Sequence, residues 1–391
     1  MQRRTFIRLA GGGVVFAAAA IAAGVALTAG SAMPESATAA WRTAGAETEP
    51  RRFVLAHAIL APNPHNMQPW IADLGTAGII TLRLDTARLL PATDPFGRQI
   101  LMGAGAFLEV LAIAATAIGL RAEIALFPDG EPGPRLDGRA FARVRLVAAA
   151  GQARDPLFAA ITARRTDRRA YDLARPPGAA EWDALTAAIG GLERFGSTEG
   201  AADPRLPAIR TIVREAWRRE LETAATMMES LKVLRVGGAE IDRYRDGIAI
   251  TDPLLVALVR TGLFDRSVPP APGSSAMTAQ IDDFDRITAA TPAYLWLVTE
   301  GNRRAQQIDA GRGFARAALA GAGLGLVMHP NEQSLQEYPE VAAQYQAIHA
   351  LLEAPAPRFT VQILARVGRL PAGVAAADPA PRRGLGAHVA A

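Results

Sequence analysis

Two stretches of the chain carry side chains whose types and spacing could do chemistry. The first is Arg164-Arg165-Thr166-Asp167-Arg168-Arg169, which gathers four arginines about one hydroxyl. Guanidinium groups donate paired hydrogen bonds to phosphate oxygens, and a threonine hydroxyl adds one directional donor. The competing reading is a solvated helix end whose arginines pair with Asp155, Asp167 or Asp172. The second stretch, residues 61–70, reads APNPHNMQPW. Each proline lacks an amide donor and disfavours helix just before itself, so this stretch must end the apolar, helix-like run RRFVLAHAIL ahead of it. It is either a polar turn, with Asn63 and Asn66 capping backbone groups and Trp70 entering the core, or a loop that holds a ligand.

Several other chemistries are excluded or weakened. The chain has no cysteine, so disulfides, thiol nucleophiles and thiolate metal sites are absent. His57, His65, His329, His349 and His388 are scattered, none in an HExxH or other ligand spacing, which argues against a metal centre. Gly103-Ala104-Gly105 starts like a dinucleotide fingerprint, but Leu108 occupies the place of its third glycine. There is no GxSxG elbow and no GxxxxGK[ST] loop, which removes the main support for hydrolase and P-loop readings. Basic residues number 42 and acidic residues 38, and every basic residue except Lys232 is Arg. That near-balance, with no basic block interleaved with aromatics, argues against nucleic acid as a partner.

The elements that must position these residues are legible in outline. The opening MQRRTFIRLAGGG has a basic start followed by an uncharged apolar run over 9–29, with an A-x-A-like site at Ala37-Thr38-Ala39. Its RRTFIR resembles the twin-arginine export signal, so residues 1–39 are expected to be a signal peptide handled by the twin-arginine translocase. An uncleaved apolar anchor is the alternative. The resemblance implies export of a folded chain to the periplasm or cell envelope, with any cofactor already loaded. Beyond it, two segments mirror each other. One runs from the strand-like ITLRL (80–84) through a helix at 105–120 to strand-like AEIALF and ARVRLVA. The other runs from AYLWLVTE (293–300) through a helix at 311–326 to FTVQILARVG (359–368). The glycines Gly105, Gly119 and Gly311, Gly325 are identically spaced, and the second of each pair is placed as a left-handed helix cap. Residues 204–231 read as one long amphipathic helix begun by Asp203-Pro204, and 264–276 as a Pro/Gly/Ser-rich loop of the lid or binding type. The whole reads as α+β with two similar sheet/helix halves.

Taken together, the two stretches resemble known sequence. The spacing A-P-x-x-x-N-x-Q-P-W is similar to the PSxxNxQPW segment of the nitroreductase superfamily, and Arg164-Arg165-Thr166-Asp167-Arg168 to its phosphate-binding RRSxR segment. APRRGLGAHV at 380–389 resembles the basic segment that completes the phosphate site in those proteins. With the export signal and the two-halves layout, the chain looks most like the Acg-type FMN-binding branch. In that branch one chain contains both halves of what is normally a homodimer.

This resemblance implies a nitroreductase-like fold in a single-chain, monomeric pseudo-dimer, with halves at 40–150 and 151–391 and a lid-like loop near 264–276. It implies non-covalent FMN, its phosphate held by Arg164, Thr166 and Arg168 with Arg382 and Arg383 from the tail. Asn63, Pro64, Asn66 and Gln68 would line the ribityl chain or ring, and Gly325, His329 and Asn331 would approach the flavin edge. The activity implied is reduction of a nitroaromatic or quinone-like small molecule, with no acid or base side chain strictly required. The alternative is a flavin-holding protein without turnover, its pocket covered by the lid. Asn63-Pro64 stand where relatives usually carry serine, and Pro64 has no amide to donate. Arg51-Arg52, near the place of a first-half phosphate motif, are followed by no hydroxyl, so one usable flavin site is expected rather than two.

Overall fold

The computed structural model describes residues 30–191, 194–198, 200 and 202–390, together with two short upstream strands paired antiparallel, Phe6–Ala10 (β1) and Gly13–Ala17 (β2). Arg3, Arg4 and residues 18–29 of the expected signal lie outside the described residues. The remainder is built on two four-stranded antiparallel sheets made from the same parts. The first contains β3 (Trp70–Asp73), β4 (Ile79–Leu84), β5 (Leu120–Leu126) and β6 (Ala140–Ala148), in the order β3-β4-β6-β5. The second contains β7 (Arg194–Ser197), β10 (Ala293–Glu300), β11 (Val327–Pro330) and β12 (Phe359–Gly368), in the order β7-β10-β12-β11. Strand for strand the two orders are the same. Each central pair also slips register once, between Leu82 and Arg83 in one sheet and between Leu297 and Val298 in the other.

One long helix joins the second and third strands of each sheet: α3 (Arg98–Thr116) and α10 (Arg304–Gly323). Both begin about two turns before the glycines expected to open them. Asp94 accounts for the early start of α3, because its carboxylate accepts from the Gln99 and Ile100 amides. In α10 the Gln306 side chain accepts from the Arg303 amide. Gly105 and Gly311 therefore sit inside the helices, where α3 and α10 cross. A Cβ on Gly105 would lie 2.8 Å from the Ile308 carbonyl carbon, and one on Gly311 2.6 Å from that of Met102. The contact is reciprocal, as an approximate twofold axis between the halves requires. Gly119 and Gly325 do take the left-handed conformation at the helix ends, both with φ of +71°. Trp70 is fully buried against Phe107 of α3, with ring centroids 4.7 Å apart.

The halves differ between their first two strands. A short turn links β3 to β4, whereas residues 198–292 separate β7 from β10. This insertion holds α5 (Arg205–Glu222), α6 (Ala224–Lys232), β8 (Leu234–Val236), α7 (Gly237–Tyr244), β9 (Ile248–Ile250), α8 (Pro253–Arg260) and α9 (Ser275–Ala289). It has an apolar centre of its own around Leu221, Met227, Leu231, Leu255 and Met277. The single helix expected over 204–231 is broken at Thr223, whose backbone is extended (φ −85°, ψ 111°). The Thr226 hydroxyl donates to the Glu220 and Thr223 carbonyls left open there. The break folds α6 back so that Ser230 meets Glu220.

The first two strands, β1 and β2, lie against α9 and α8 of the insertion, whereas the tail and the segment ahead of α2 are worked into the first half. The tail after β12 returns to β3, where the Ala72 amide donates to the His388 carbonyl and the Ala390 amide to that of Ala72. At the other end lie α1 (Ala40–Thr43) and α2 (Pro50–Ala58), and Trp41 of α1 is buried, its indole N–H donating to the Ala380 carbonyl. Ala37 and Thr38, expected at a processing site, are buried, and the Arg382 amide donates to the Ala37 carbonyl at 2.8 Å. The outer layer is completed by α4 (Ala179–Ile189) against α10 and α11 (Ala342–Leu351) against α5.

Candidate functional site

A cavity of about 390 Å³ opens beside the crossing of α3 and α10, within the size range of cofactor sites. Met102 and Gly103 of α3 and Gly311 and Phe314 of α10 form its floor between the halves. The 61–70 loop and the arginine cluster reach it from the sides, and the insertion covers it with α5, α6 and α9. The 264–276 segment, expected to act as the lid, does not line it; Phe264 and Met277 at its borders are buried in the insertion's own centre. The close helix approach at Gly105 and Gly311 sets the floor, and β11 and β12 of the second sheet contribute His329 and Arg366.

Arg164, Arg165, Thr166 and Arg168 all line this cavity. The cluster is divided between the two roles weighed from sequence. Arg169 pairs with Asp167 and donates to the Ala375 carbonyl, so it is the ion-paired structural member. Arg164 donates to the Thr166 hydroxyl and the Leu60 carbonyl, which aims both groups together. Burial, with Arg165 close by, pushes the Arg164 guanidinium down to about 10. The Arg168 guanidinium has no hydrogen-bond partner among the described residues, and burial lowers its pKa. Arg366 joins them from β12, stacked over Tyr171 at 4.2 Å and donating to the Arg169 carbonyl. An arginine within the apolar strand FTVQILARVG was the sequence signal for it. Two imidazoles face the same cations. His65 is held down to about 4 and His329 well below its usual value, by burial first and by Arg168 second. Both are therefore neutral near pH 7, and the Nδ1 atom of each has no partner. A half-buried guanidinium without a hydrogen-bonded partner, beside a hydroxyl and two open imidazole nitrogens, suits an oxyanion.

The 61–70 loop reaches the cavity, though by other atoms than its amides suggested. Asn63, Pro64, His65 and Asn66 line the wall. The Asn63 amide is engaged within the loop, accepting from the Gln68 backbone and donating to the Ala61 carbonyl. Asn66 donates to the Gly247 and Pro381 carbonyls and accepts from Arg382. His65, Asn66 and Gln68 all adopt left-handed backbone conformations, with φ of 44°, 54° and 50°. Non-glycine residues rarely do so, at a cost of roughly 1–3 kcal/mol each, and such strain concentrates at binding sites. The amide bonds of Asn63, Asn66 and Gln68 hold that strained course and so press Pro64 and His65 into the cavity wall.

The remaining expected site residues fall into two groups. Arg382 lines the cavity, but its guanidinium is fully engaged by the Ile59, Leu60, Ala61 and Pro381 carbonyls and by Asn66. It ties the tail to the end of α2, and stacks on Trp41 with Arg165 on the same ring. Gln68, Gly325, Asn331 and Arg383 do not line the cavity. Gln68 and Arg383 bond each other, with Gln68 also donating to Arg245. Gly325 serves as the helix cap, and Asn331 is buried past the end of β11.

Among the described residues, the twofold-related place is occupied by paired charges. The spacing that carries Gly105 to Gly311 carries Gly103 and Ala106 to Asp309 and Arg312. Arg312 pairs with Asp309 and with Glu109, and Arg316 with Glu109 and Asp155. Arg51 and Arg52 are likewise occupied, by Glu49 with three carbonyls and by Glu47. Sequence reasoning did not find the insertion's contribution. Glu220, Ser230, Gln333 and Gln336 line the cavity at its inner side, with Trp217, Leu221 and Phe284. Burial holds the Glu220 carboxyl up at about 7, and does the same for Glu332. A glutamate on the otherwise apolar face of the 204–231 pattern was the available signal.

No family model matches the chain. It is 28% identical over 335 residues to the Mycobacterium tuberculosis (strain H37Rv) protein named "Putative NAD(P)H nitroreductase acg", covering 83% of this chain and 91% of that one. A second protein of that organism, of the same description and designated Rv3131, is 35% identical over 140 residues, covering 36% of this chain and 39% of its own. Among solved structures, a Bacteroides fragilis nitroreductase with bound FMN aligns with a TM-score of 0.35 at 13% identity, over 59% of this chain and 96% of its own.

Proposed function

We propose that the chain is an FMN-dependent oxidoreductase of the nitroreductase type, with one flavin site at the junction of its two halves. The observation that carries this reading is Arg168, a half-buried guanidinium with no hydrogen-bonded partner among the described residues, lining the cavity with Arg164 and Thr166. The long similarity to a nitroreductase-named chain supports it. In this reading Arg164, Thr166 and Arg168 hold the phosphate, with His65 and His329 as neutral neighbours. Pro64 and His65 wall one side, and α3 and α10 form the floor. FMN so held would supply two-electron chemistry; the chain binds it, orients it and keeps water from the inner side with the insertion. The donor and acceptor would be small redox molecules. The twin-arginine-like opening supports delivery of the folded, flavin-loaded monomer across the membrane.

The test is the visible spectrum of the purified protein and its response to substitution. A yellow protein bleached by dithionite and reoxidised by a quinone or nitroaromatic is the expected result. Replacing Arg164 and Arg168 together by Ala should weaken FMN binding roughly 10²- to 10⁴-fold, two charge-assisted contacts being lost, with the far-UV spectrum unchanged. Unaltered FMN affinity in that double variant would overturn the phosphate assignment. Wild-type protein that is colourless and takes up no FMN would overturn the whole reading.

A further inference from the structure

The inner side of the cavity differs in character from the arginine end. Trp217 and Phe284, stacked at 4.9 Å, and Leu221 and Leu231 form flat apolar walls contributed by the insertion. Glu220 lines the cavity with them, 1% exposed, with Oε1 3.0 Å from the Ser230 hydroxyl and Oε2 3.1 Å from Gln336 Nε2. Gln280, Gln333 and Gln336 line the same region, and each leaves one buried amide atom unpartnered: Gln280 Nε2, Gln333 Oε1 and Gln336 Oε1. Orphaned amide atoms cost free energy unless a ligand or water meets them. Among the described residues no arginine or lysine pairs with Glu220; the charged or titratable groups acting on it are Glu229 from α6 and Tyr338 beyond β11, neither of them a cation.

We propose that this inner arm binds an uncharged, flat, quinone-type acceptor, and that Glu220 is the acid that gives the acceptor its proton. The inference rests on the flavin reading above and names the substrate class of that site. Flat aromatic walls favour a planar ring, and a neutral amide set offers hydrogen bonds to carbonyl oxygens. The described residues around Glu220 offer it no cation, which favours an uncharged acceptor over an anionic one. Reduction of a quinone to a quinol adds a hydride and a proton. In that reading a bound reduced flavin would supply the hydride. The proton comes from Glu220, whose O–H bond breaks as the new O–H bond of the quinol forms. The resulting carboxylate is held by Ser230 and Gln336 until solvent returns its proton. A carboxyl raised to about 7 is protonated often enough to act near neutral pH, and its raised value follows from burial, with Glu229 adding to it.

The variant E220Q tests this, since glutamine can bond both Ser230 and Gln336 and so keep the arm's shape. Three measurements are made on wild type and E220Q: FMN content from the visible spectrum, affinity for menadione in the oxidised protein by tryptophan-fluorescence quenching, and menadione reduction from pH 5.5 to 8.5. Expected is unchanged FMN content and menadione affinity within about threefold. Turnover should fall roughly 10²-fold at pH 6, and the wild-type decline above about pH 7 should disappear. Flavin-loaded E220Q that turns over like wild type with the same pH profile would overturn the acid role. Flavin-loaded wild type that does not bind menadione would overturn the acceptor site. Wild-type protein without flavin would instead overturn the parent reading, and the proton-donor role with it.

Discussion

Gly105→Ala and Gly311→Ala probe the helix crossing on which the cavity floor depends. The added methyl groups would lie 2.8 Å from the Ile308 carbonyl carbon and 2.6 Å from that of Met102, where carbon atoms ordinarily rest at about 3.5–4.0 Å. Both obstacles are backbone groups held by helical hydrogen bonds, so no side chain can turn aside and the helices must part by about 1 Å. Overpacking of this kind costs about 1–3 kcal/mol, and rigid backbone places these sites at the upper end. Replacing a mid-helix glycine by alanine returns about 1 kcal/mol of helix propensity. The net expectation is a loss of about 2 kcal/mol for either variant, read as a lower urea midpoint at unchanged slope. The double variant should lose less than the sum, because one separation relieves both clashes. Gly323→Ala is the control: nothing lies within 4 Å of its added Cβ, so it should be neutral or slightly stabilising. If Gly105→Ala and Gly323→Ala melt alike, the crossing is not held as described.

Two further outcomes are expected. The Glu220 carboxyl sits near 7 in the folded chain, above its unfolded value of 4.5, so the native state keeps a proton that the unfolded chain has released. Its contribution to stability is therefore greatest below about pH 4.5 and declines as pH rises to about 7. Relative to wild type, E220Q should gain stability between pH 5 and pH 8, on the order of 3 kcal/mol by denaturant titration; parallel curves would refute this. If the chain is exported folded, Ala37-Thr38-Ala39 is already buried when the signal is removed. N-terminal sequencing of the exported form should then give an end upstream of Gly30, and an end at Ala40 would show that the 30–39 arm is released.

Much of the framework was legible because it rests on local pattern. The strands at 80–84, 120–126, 140–148, 293–300 and 359–368 follow apolar runs bounded by turns, and the matched glycine spacing revealed the repeat. The role of Gly105 and Gly311 was misread, because a close interhelical approach leaves the same residue type as a helix start and is decided only by the partner helix. Thr223 broke an otherwise continuous apolar periodicity for a tertiary reason, the meeting of Glu220 with Ser230 and Gln336. At the site, the resemblance singled out Arg164, Thr166, Arg168, Asn63, Pro64, Asn66 and His329, and these line one cavity. It could not tell which donors were already engaged. Arg382 and Asn66 are filled by carbonyls from 59–61, 247 and 381, contacts made only after the tail and insertion have packed, while Asn63 is filled within its own loop.

The twofold relation between the halves bears on how this protein can change. In an assembly of two identical chains, every substitution appears on both sides of the axis, and a gain at one site is imposed on its mate. Here the axis lies within one chain, so the two sides are free to diverge. At Gly103 and Ala106 the first helix stays small and leaves room; at the related Asp309 and Arg312 the second carries an ion-paired network that joins α3, α10 and Asp155. The same freedom let a seven-element insertion enter one β–β connection while the other remained a short turn. One side of the twofold relation forms a chamber with its own roof, and the other a clamp that holds the floor in place.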